Sequence, residues 1–241
     1  MKDLDDHKKI AVLIDADNAQ YSKLKMIMNE ISAHGHIVIK RAYGDWSSDY
    51  LKNWKEHLNE LAIQPVQQFA YTVGKNATDA SMIIDAMDLL YSNKFDAFAL
   101  VSSDSDFTKL ASRLKEAEIF VFGVGEKKTP LSFRNACDDF IYTENLKADA
   151  NGAITEANVD NTSPEALVPI LEKAWEQYQD DEGWANIASV GNFLKRAKPD
   201  FDPRTYGVTK LSQIIERLHD SFEMKSEQGS GPKVVYFRPV R

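Results

Sequence analysis

Apolar runs at residues 10–14, 37–43, 63–70, 97–101 and 119–124 alternate along this chain with segments of helical period near 19–33, 49–61, 78–91 and 106–117. Strands that alternate with helices predict right-handed βαβ units and a mostly parallel sheet between two helical layers. The expected fold class is therefore α/β, with three α/β/α layers. A short helix around 130–134 and an edge strand at 140–142 complete the pattern.

Residues 149–163 break this rhythm with a stretch that holds little able to pack, and they read as a flexible linker. Beyond them come short helices, one of them expected over 208–218, and then two strands at about 220–225 and 233–238 joined by a Gly-rich segment, 226–232. Helices followed by a Gly-rich hairpin describe a small α+β winged helix-turn-helix. The expected organisation is an α/β domain over 1–148, a linker over 149–163 and a second domain over 164–241.

A hydrophobic content of 43% is enough to give both domains a core. The single cysteine, Cys137, excludes an internal disulfide and a multi-cysteine zinc site, which fits a reducing, cytoplasmic setting. The N-terminal residues are charged and no stretch reaches the roughly 20 apolar residues of a membrane span, so a soluble protein with no membrane partner is expected. A net charge of -8 argues at first against nucleic acid as a partner. Its distribution softens that: residues 183–241 hold ten Lys/Arg against six Asp/Glu, whereas 149–182 hold one against nine.

The acids of the first domain carry the chemistry. Asp15 and Asp17 follow the first apolar run, Asp104 and Asp106 follow the run at 97–101, and Asp79 opens a helix behind Thr78, its expected N-cap. Ligands of open α/β sheets bind outside the carboxyl ends of the strands, so carboxylates placed there converge on one pocket. Like charges at close range raise one another's pKa and call for a cation. All-oxygen donors suit Mg²⁺ or Mn²⁺, which most often serve phosphate chemistry. Asp15, Asp79, Asp104 and Asp106 are the candidate ligands, and Asn18 is placed to orient a water or a phosphate oxygen. Asp85, six residues past Asp79, falls on a different helix face and reads as a salt-bridging group. Lys75, Lys127 and Lys128 are candidates to draw a phosphodiester backbone to the pocket.

The segments 14–18, 75–79 and 103–107, together with 121–130, 137–141 and 144–146, resemble the NYN nuclease domains, a branch of the PIN-like superfamily, and in particular the bacterial LabA-like group. The resemblance covers roughly residues 8–147. It implies Mg²⁺- or Mn²⁺-dependent phosphodiester cleavage, usually of RNA, with Asp15, Asn18, Asp79, Asp104 and Asp106 on the family's acidic positions. Family members often have Gly after the first Asp, where this chain has Ala16.

Residues 164–240 resemble the LOTUS domain, also called OST-HTH, through the order of Pro164, Trp184, Gly191, Phe201, Pro203, Tyr206 and Gly207. That resemblance implies binding of RNA or of a protein partner. Lys195, Arg196, Lys198, Arg204 and Lys210 are the candidate phosphate contacts, since such residues position a nucleic acid without reading its sequence. Trp184, Phe193, Phe201, Tyr206, Leu211 and Ile214 read mostly as core.

The function expected is thus a metal-dependent ribonuclease, with DNA as a further substrate to test. The alternative is a non-catalytic adaptor that binds RNA or protein. A haloacid-dehalogenase phosphatase is disfavoured by Ala19, and no Gly-x-Gly-x-x-Gly follows the first strand to support dinucleotide binding.

Overall fold

Strand β1, Lys9–Asp15, is apolar on both faces because it lies in the middle of a sheet covered on both sides. Its neighbours are β2 (His36–Gly44) on one side and β4 (Ala97–Val101) on the other. The edges are completed by β3 (Gln64–Gln67) beyond β2, and by β5 (Phe120–Gly125) and β6 (Asp139–Tyr142) beyond β4. The order is β3-β2-β1-β4-β5-β6 and every pair is parallel. The computed structural model describes residues 8–69, 77–146, 163–228 and 234–240. The chain divides into two compact units, 1–148 and 149–241.

Side-chain alternation along the strands makes two cores. Ile10, Val12, Ile14 and Ala16 pack against α1 (Leu24–Ser32) and α2 (Trp54–Glu60) through Leu24, Ile27, Ile31, Trp54 and Leu58. Ala11 and Leu13 face α3 (Ala77–Tyr91), α4 (Thr108–Glu116) and α5 (Leu131–Ala136) through Met82, Ala86, Leu110, Leu114 and Phe133. Each fully buried Leu, Ile or Phe stabilises the layers by roughly 1.5–3 kcal/mol. Strand order reverses between β1 and β4, and a crevice outside their carboxyl ends is where ligands bind in such sheets.

Several helices, though not α3, start later than periodicity suggests, and for local reasons. After β1 the amides of Asn18 and Ala19 bond back to the Asp15 carbonyl at 3.3 and 2.9 Å, so a 3-10 turn, Tyr21–Lys23, precedes α1. Ser48 Oγ accepts from the Tyr50 amide and caps a second 3-10 turn, Asp49–Leu51, ahead of α2. Strand β3 is shorter than the apolar run 63–70, whose last residue lies outside the described residues.

The second unit contains α6 (Val168–Tyr178), β7 (Ala185–Asn186), α7 (Ile187–Ala197), α8 (Leu211–Arg217), β8 (Phe222–Glu227) and β9 (Val234–Pro239). Its antiparallel sheet has the order β7-β9-β8. Gly207, at φ +71°, ends the 3-10 turn Pro203–Tyr206, and Gln213 Oε1 accepts from the amides of Thr209 and Lys210, so α8 starts at Leu211. Phe201, Tyr206, Leu211 and Ile214 are buried as expected, and Phe193 is partly so. Trp184 departs from the core reading: its ring lies under the Arg238 guanidinium at 4.3 Å and the Lys225 ammonium at 4.9 Å. Most of the linker, 149–162, and the hairpin residues 229–233 lie outside the described residues. No helix among the described residues is long and apolar enough to cross a membrane.

Cys137 is buried and its thiol donates to the Phe133 carbonyl at 3.3 Å. It also limits what β5 can carry. A Cβ at Gly123 would sit 2.4 Å from Phe140 Cδ2 and 2.6 Å from Cys137 Sγ, both in the core. Gly123→Ala is expected to destabilise the first unit by about 1–3 kcal/mol in urea unfolding. Gly191→Ala in α7, where a Cβ meets nothing closer than 3.8 Å, is expected to be neutral or to stabilise by up to about 1 kcal/mol. Equal unfolding midpoints for Gly123→Ala and the wild type would contradict this packing.

Candidate metal centre

Asp15 is the last residue of β1, and alternation turns it to the α3 face while Ile14 and Ala16 enter the opposite core. It is fully buried. Its Oδ2 accepts from Ser102 Oγ at 2.7 Å and from Asn18 Nδ2 at 2.8 Å, and its Oδ1 accepts from the Asp17 amide at 3.2 Å. Burial pushes its pKa above the usual carboxylate range, the bonds from Ser102 and Asn18 pull it back, and the charge of Asp17 adds to the rise.

Ser102 follows β4 and does two things at once. It donates to Asp15 and accepts from the Asp104 amide at 3.0 Å, so one hydroxyl joins the ends of the two central strands. Ser103 Oγ accepts from the Glu126 amide at 2.9 Å, tying in the end of β5. Asp104 then caps the 3-10 turn Ser105–Phe107, its Oδ1 accepting from the Asp106 amide at 2.9 Å.

Asp79 comes from the other layer, in the first turn of α3. Carboxylate oxygens of Asp79, Asp104 and Asp106 lie within 4.8 Å of one another. Burial pushes the Asp79 carboxyl up to about 6, helped by the charges of Asp15, Asp104, Asp106 and Asp17 in decreasing order. Three strand-end or helix-start acids thus form one set, with Asp15 beneath it as the strongest charge felt by Asp79. Asp17 and Asn18 are exposed at the rim. The donor set fits a hard divalent cation: the ligands are all carboxylate oxygens, and the charge that raises Asp79 is the charge a cation would neutralise.

Other expected residues fall elsewhere. Thr78 lies inside α3, which begins at Ala77, so it is not the N-cap. Asp85 bonds Arg41 and Tyr43 on β2, as a salt-bridging group does. Lys128 is exposed and paired with Glu126 at 2.8 Å, while Glu126 also accepts from Gln20 Nε2. The Lys127 amide donates to Glu144 Oε1 at 2.9 Å. Lys75 lies outside the described residues. In the second unit, Lys195, Arg196 and Lys198 cluster at the end of α7, with Arg196 donating to the Tyr178 hydroxyl at 2.6 Å, and Lys210 is exposed before α8. Arg204 is held against the buried Asp202 by contacts of 2.8 Å from Nη2 and Nε. Its charge compensates that carboxylate.

Ala16 does not face the pocket. Its methyl is in the α1–α2 core, and a Cβ on Gly44 would come within 3.3 Å of it. The residues missed from sequence are the partners Ser102, Tyr43 and Arg41; only Ser102, beside Asp104, left any signal there.

The sign of the Asp79 effect follows from its raised pKa. Between the ordinary carboxylate value of 3.8 and about 6, the folded chain binds more protons than the unfolded one, so stability falls as pH rises through that window. Asp79→Asn removes the penalty. With EDTA present it is expected to be more stable than the wild type by about 1 kcal/mol at pH 7.5, discounted for the exposed side of the group, and no more stable at pH 3.5. Unfolding curves at the two pH values check this, and a variant less stable than wild type at pH 7.5 would contradict it.

Comparison with known proteins identifies both domains. A family model of the NYN domain matches residues 9–146, and one of the OST-HTH/LOTUS domain matches 161–234. No curated protein matches the chain. Among solved structures, a protein of unknown function from Vibrio parahaemolyticus is 19% identical over 59% of this chain and 95% of its own, with a TM-score of 0.48. An uncharacterized protein of Nitrosomonas europaea is 32% identical over 39% of this chain and 88% of its own, with a TM-score of 0.30. A protein from Chromobacterium violaceum is 30% identical over 30% of this chain and 78% of its own, with a TM-score of 0.27. NYN is a nuclease-like domain family of PIN-like α/β fold, PIN-like nucleases usually use divalent metals, and LOTUS domains bind RNA or proteins. The chain belongs to the NYN domain family and carries an OST-HTH/LOTUS domain after its NYN domain.

Proposed function

We propose that this chain is a Mg²⁺- or Mn²⁺-dependent ribonuclease, with Asp15, Asp79, Asp104 and Asp106 as its acidic centre and the LOTUS domain as an RNA- or partner-binding module. The observation that carries this reading is the approach of the Asp79, Asp104 and Asp106 oxygens to within 4.8 Å above the buried Asp15. Asp79, Asp104 and Asp106 would hold the ion directly, with Asp15 supplying charge from below. When bound, a divalent ion lowers the pKa of a water and offsets charge on the leaving oxygen of a phosphodiester.

The chain's own groups do the rest. Asn18, anchored through its Nδ2 to Asp15, is proposed to accept at its amide oxygen from a water or a ribose hydroxyl. Lys127 and Lys128, beside the end of β5, would offset the repulsion between an acidic pocket and an anionic backbone. A LOTUS domain that holds RNA raises the effective concentration of substrate at the centre. Buried Cys137 fits a cytoplasmic, reducing setting within the same reading.

The test uses the full chain with labelled single-stranded RNA, structured RNA and DNA in Mg²⁺ or Mn²⁺. Cleavage is expected on RNA, abolished by EDTA and reduced about 100-fold or more in Asp104→Asn and Asp15→Asn. Cleavage that survives EDTA and both substitutions would overturn the assignment. Retained RNA binding without cleavage under any condition would favour the adaptor.

A further inference from the structure

The Arg41, Tyr43 and Asp85 side chains form a polar cluster inside an otherwise apolar contact. Asp85 leaves α3 and meets β2: its Oδ1 takes Arg41 Nη1 in an ion pair and its Oδ2 accepts from the Tyr43 hydroxyl. Tyr43 is fully buried, and the Arg41 and Asp85 side chains are only 23% and 24% exposed. Arg41 Nε is buried with no hydrogen-bond partner among the described residues. A part-buried pair with an unsatisfied donor gains little stability over apolar residues of the same size. The cluster therefore calls for another explanation.

Its place in the fold supplies one. Asp15 ends β1 and Asp104 lies three residues past the end of β4, where the register Ile14↔Val101 and the Ser102 hydroxyl fix them relative to each other. Asp79 arrives from α3, and the rest of that helix meets the sheet through Met82, Ala86, Leu89 and Leu90. Apolar packing is non-directional and leaves a helix free to turn or slide slightly, whereas two hydrogen bonds on opposite oxygens of one carboxylate fix both motions. Tyr43 is the β2 residue paired in register with Asp15, and Asp85 stands about 9 Å along the helix axis from Asp79. One route thus runs from Asp15 across the β1–β2 ladder to Tyr43, then to Asp85, and along α3 to Asp79.

We infer that Arg41, Tyr43 and Asp85 are positioning residues that set the rotation and height of α3, and so hold Asp79 against the acids of the sheet. The inference rests on the metal-centre reading above. It assigns no contact between these residues and an ion or a substrate.

The experiment titrates Mn²⁺ alone into the full chain by calorimetry, and follows amide hydrogen exchange over residues 81–84 without metal. The triple variant Arg41→Met/Tyr43→Phe/Asp85→Leu removes every polar member at once, leaving no buried partner orphaned. It is expected to melt at or near the wild-type temperature, yet to bind Mn²⁺ about tenfold more weakly. Exchange at 81–84 should be several-fold faster. Mn²⁺ affinity within twofold of wild type overturns the inference, because a cluster that only stabilised would move the melting point and leave affinity alone. If the triple variant fails to fold, Tyr43→Phe decides in its place, with weaker Mn²⁺ binding expected and unchanged binding overturning the inference. If the wild type takes up no Mn²⁺, the metal reading falls, and exchange at 81–84 decides positioning by itself: faster in the variant supports it, unchanged overturns it.

Discussion

Asp79, Asp104 and Asp106 hold carboxylate oxygens within 4.8 Å of one another over a fourth, buried acid, and a flexible chain would relax that repulsion by moving them apart. The domain prevents this by rooting them in its stiffest parts. Asp15 ends one of the two central strands and Asp104 caps the turn just after the other, and the Ser102 hydroxyl bridges them. Asp79 is set into the first turn of α3, where the macrodipole favours a negative charge even as burial and its neighbours disfavour it. The two influences oppose each other, and burial together with the neighbouring charges raises the Asp79 pKa.

Most of the frame was legible in the chain. The runs 10–14 and 97–101 are apolar at every position, which marks central strands buried on both faces, and the acids after them fall at the carboxyl ends for that reason alone. Pairing across the sheet was not legible. Nothing in the local pattern says that β1 lies between β2 and β4, so the meeting of Tyr43 and Arg41 with Asp85, more than 40 residues away, had no sequence signature. Helix starts were blurred because short 3-10 turns and side-chain caps use the same residues as helix interiors, as at Ser48 and Asp104. Trp184 was misplaced since hydrophobicity cannot separate a core indole from one that stacks under Arg238 on a sheet.

The LOTUS domain follows different physics. Its core residues, Phe201, Tyr206, Leu211, Ile214 and Phe237 among them, close a small winged unit, while its cations are largely spoken for. Arg204 offsets the buried Asp202, Arg196 bonds Tyr178, Arg217 bonds the Tyr206 carbonyl and Arg238 pairs with Glu223. The Arg238–Glu223 pair is exposed on both sides and contributes little to stability, whereas Arg204 and Arg217 are held by partly buried contacts. Under the proposed function, even weak capture of RNA by such a module would raise its effective concentration at the acidic centre.

If the proposed function holds and the acids are kept together for a divalent cation, its binding must displace the protons they carry. Mn²⁺ titrated calorimetrically into the wild type at pH 6, in buffers of different ionisation enthalpy, should release about half a proton per ion bound, because Asp79 is then half-protonated. The release should vanish at pH 8. Stoichiometric binding with no proton release at pH 6 would mean that Asp79 takes no part in holding the ion, and the absence of any binding would contradict the account itself.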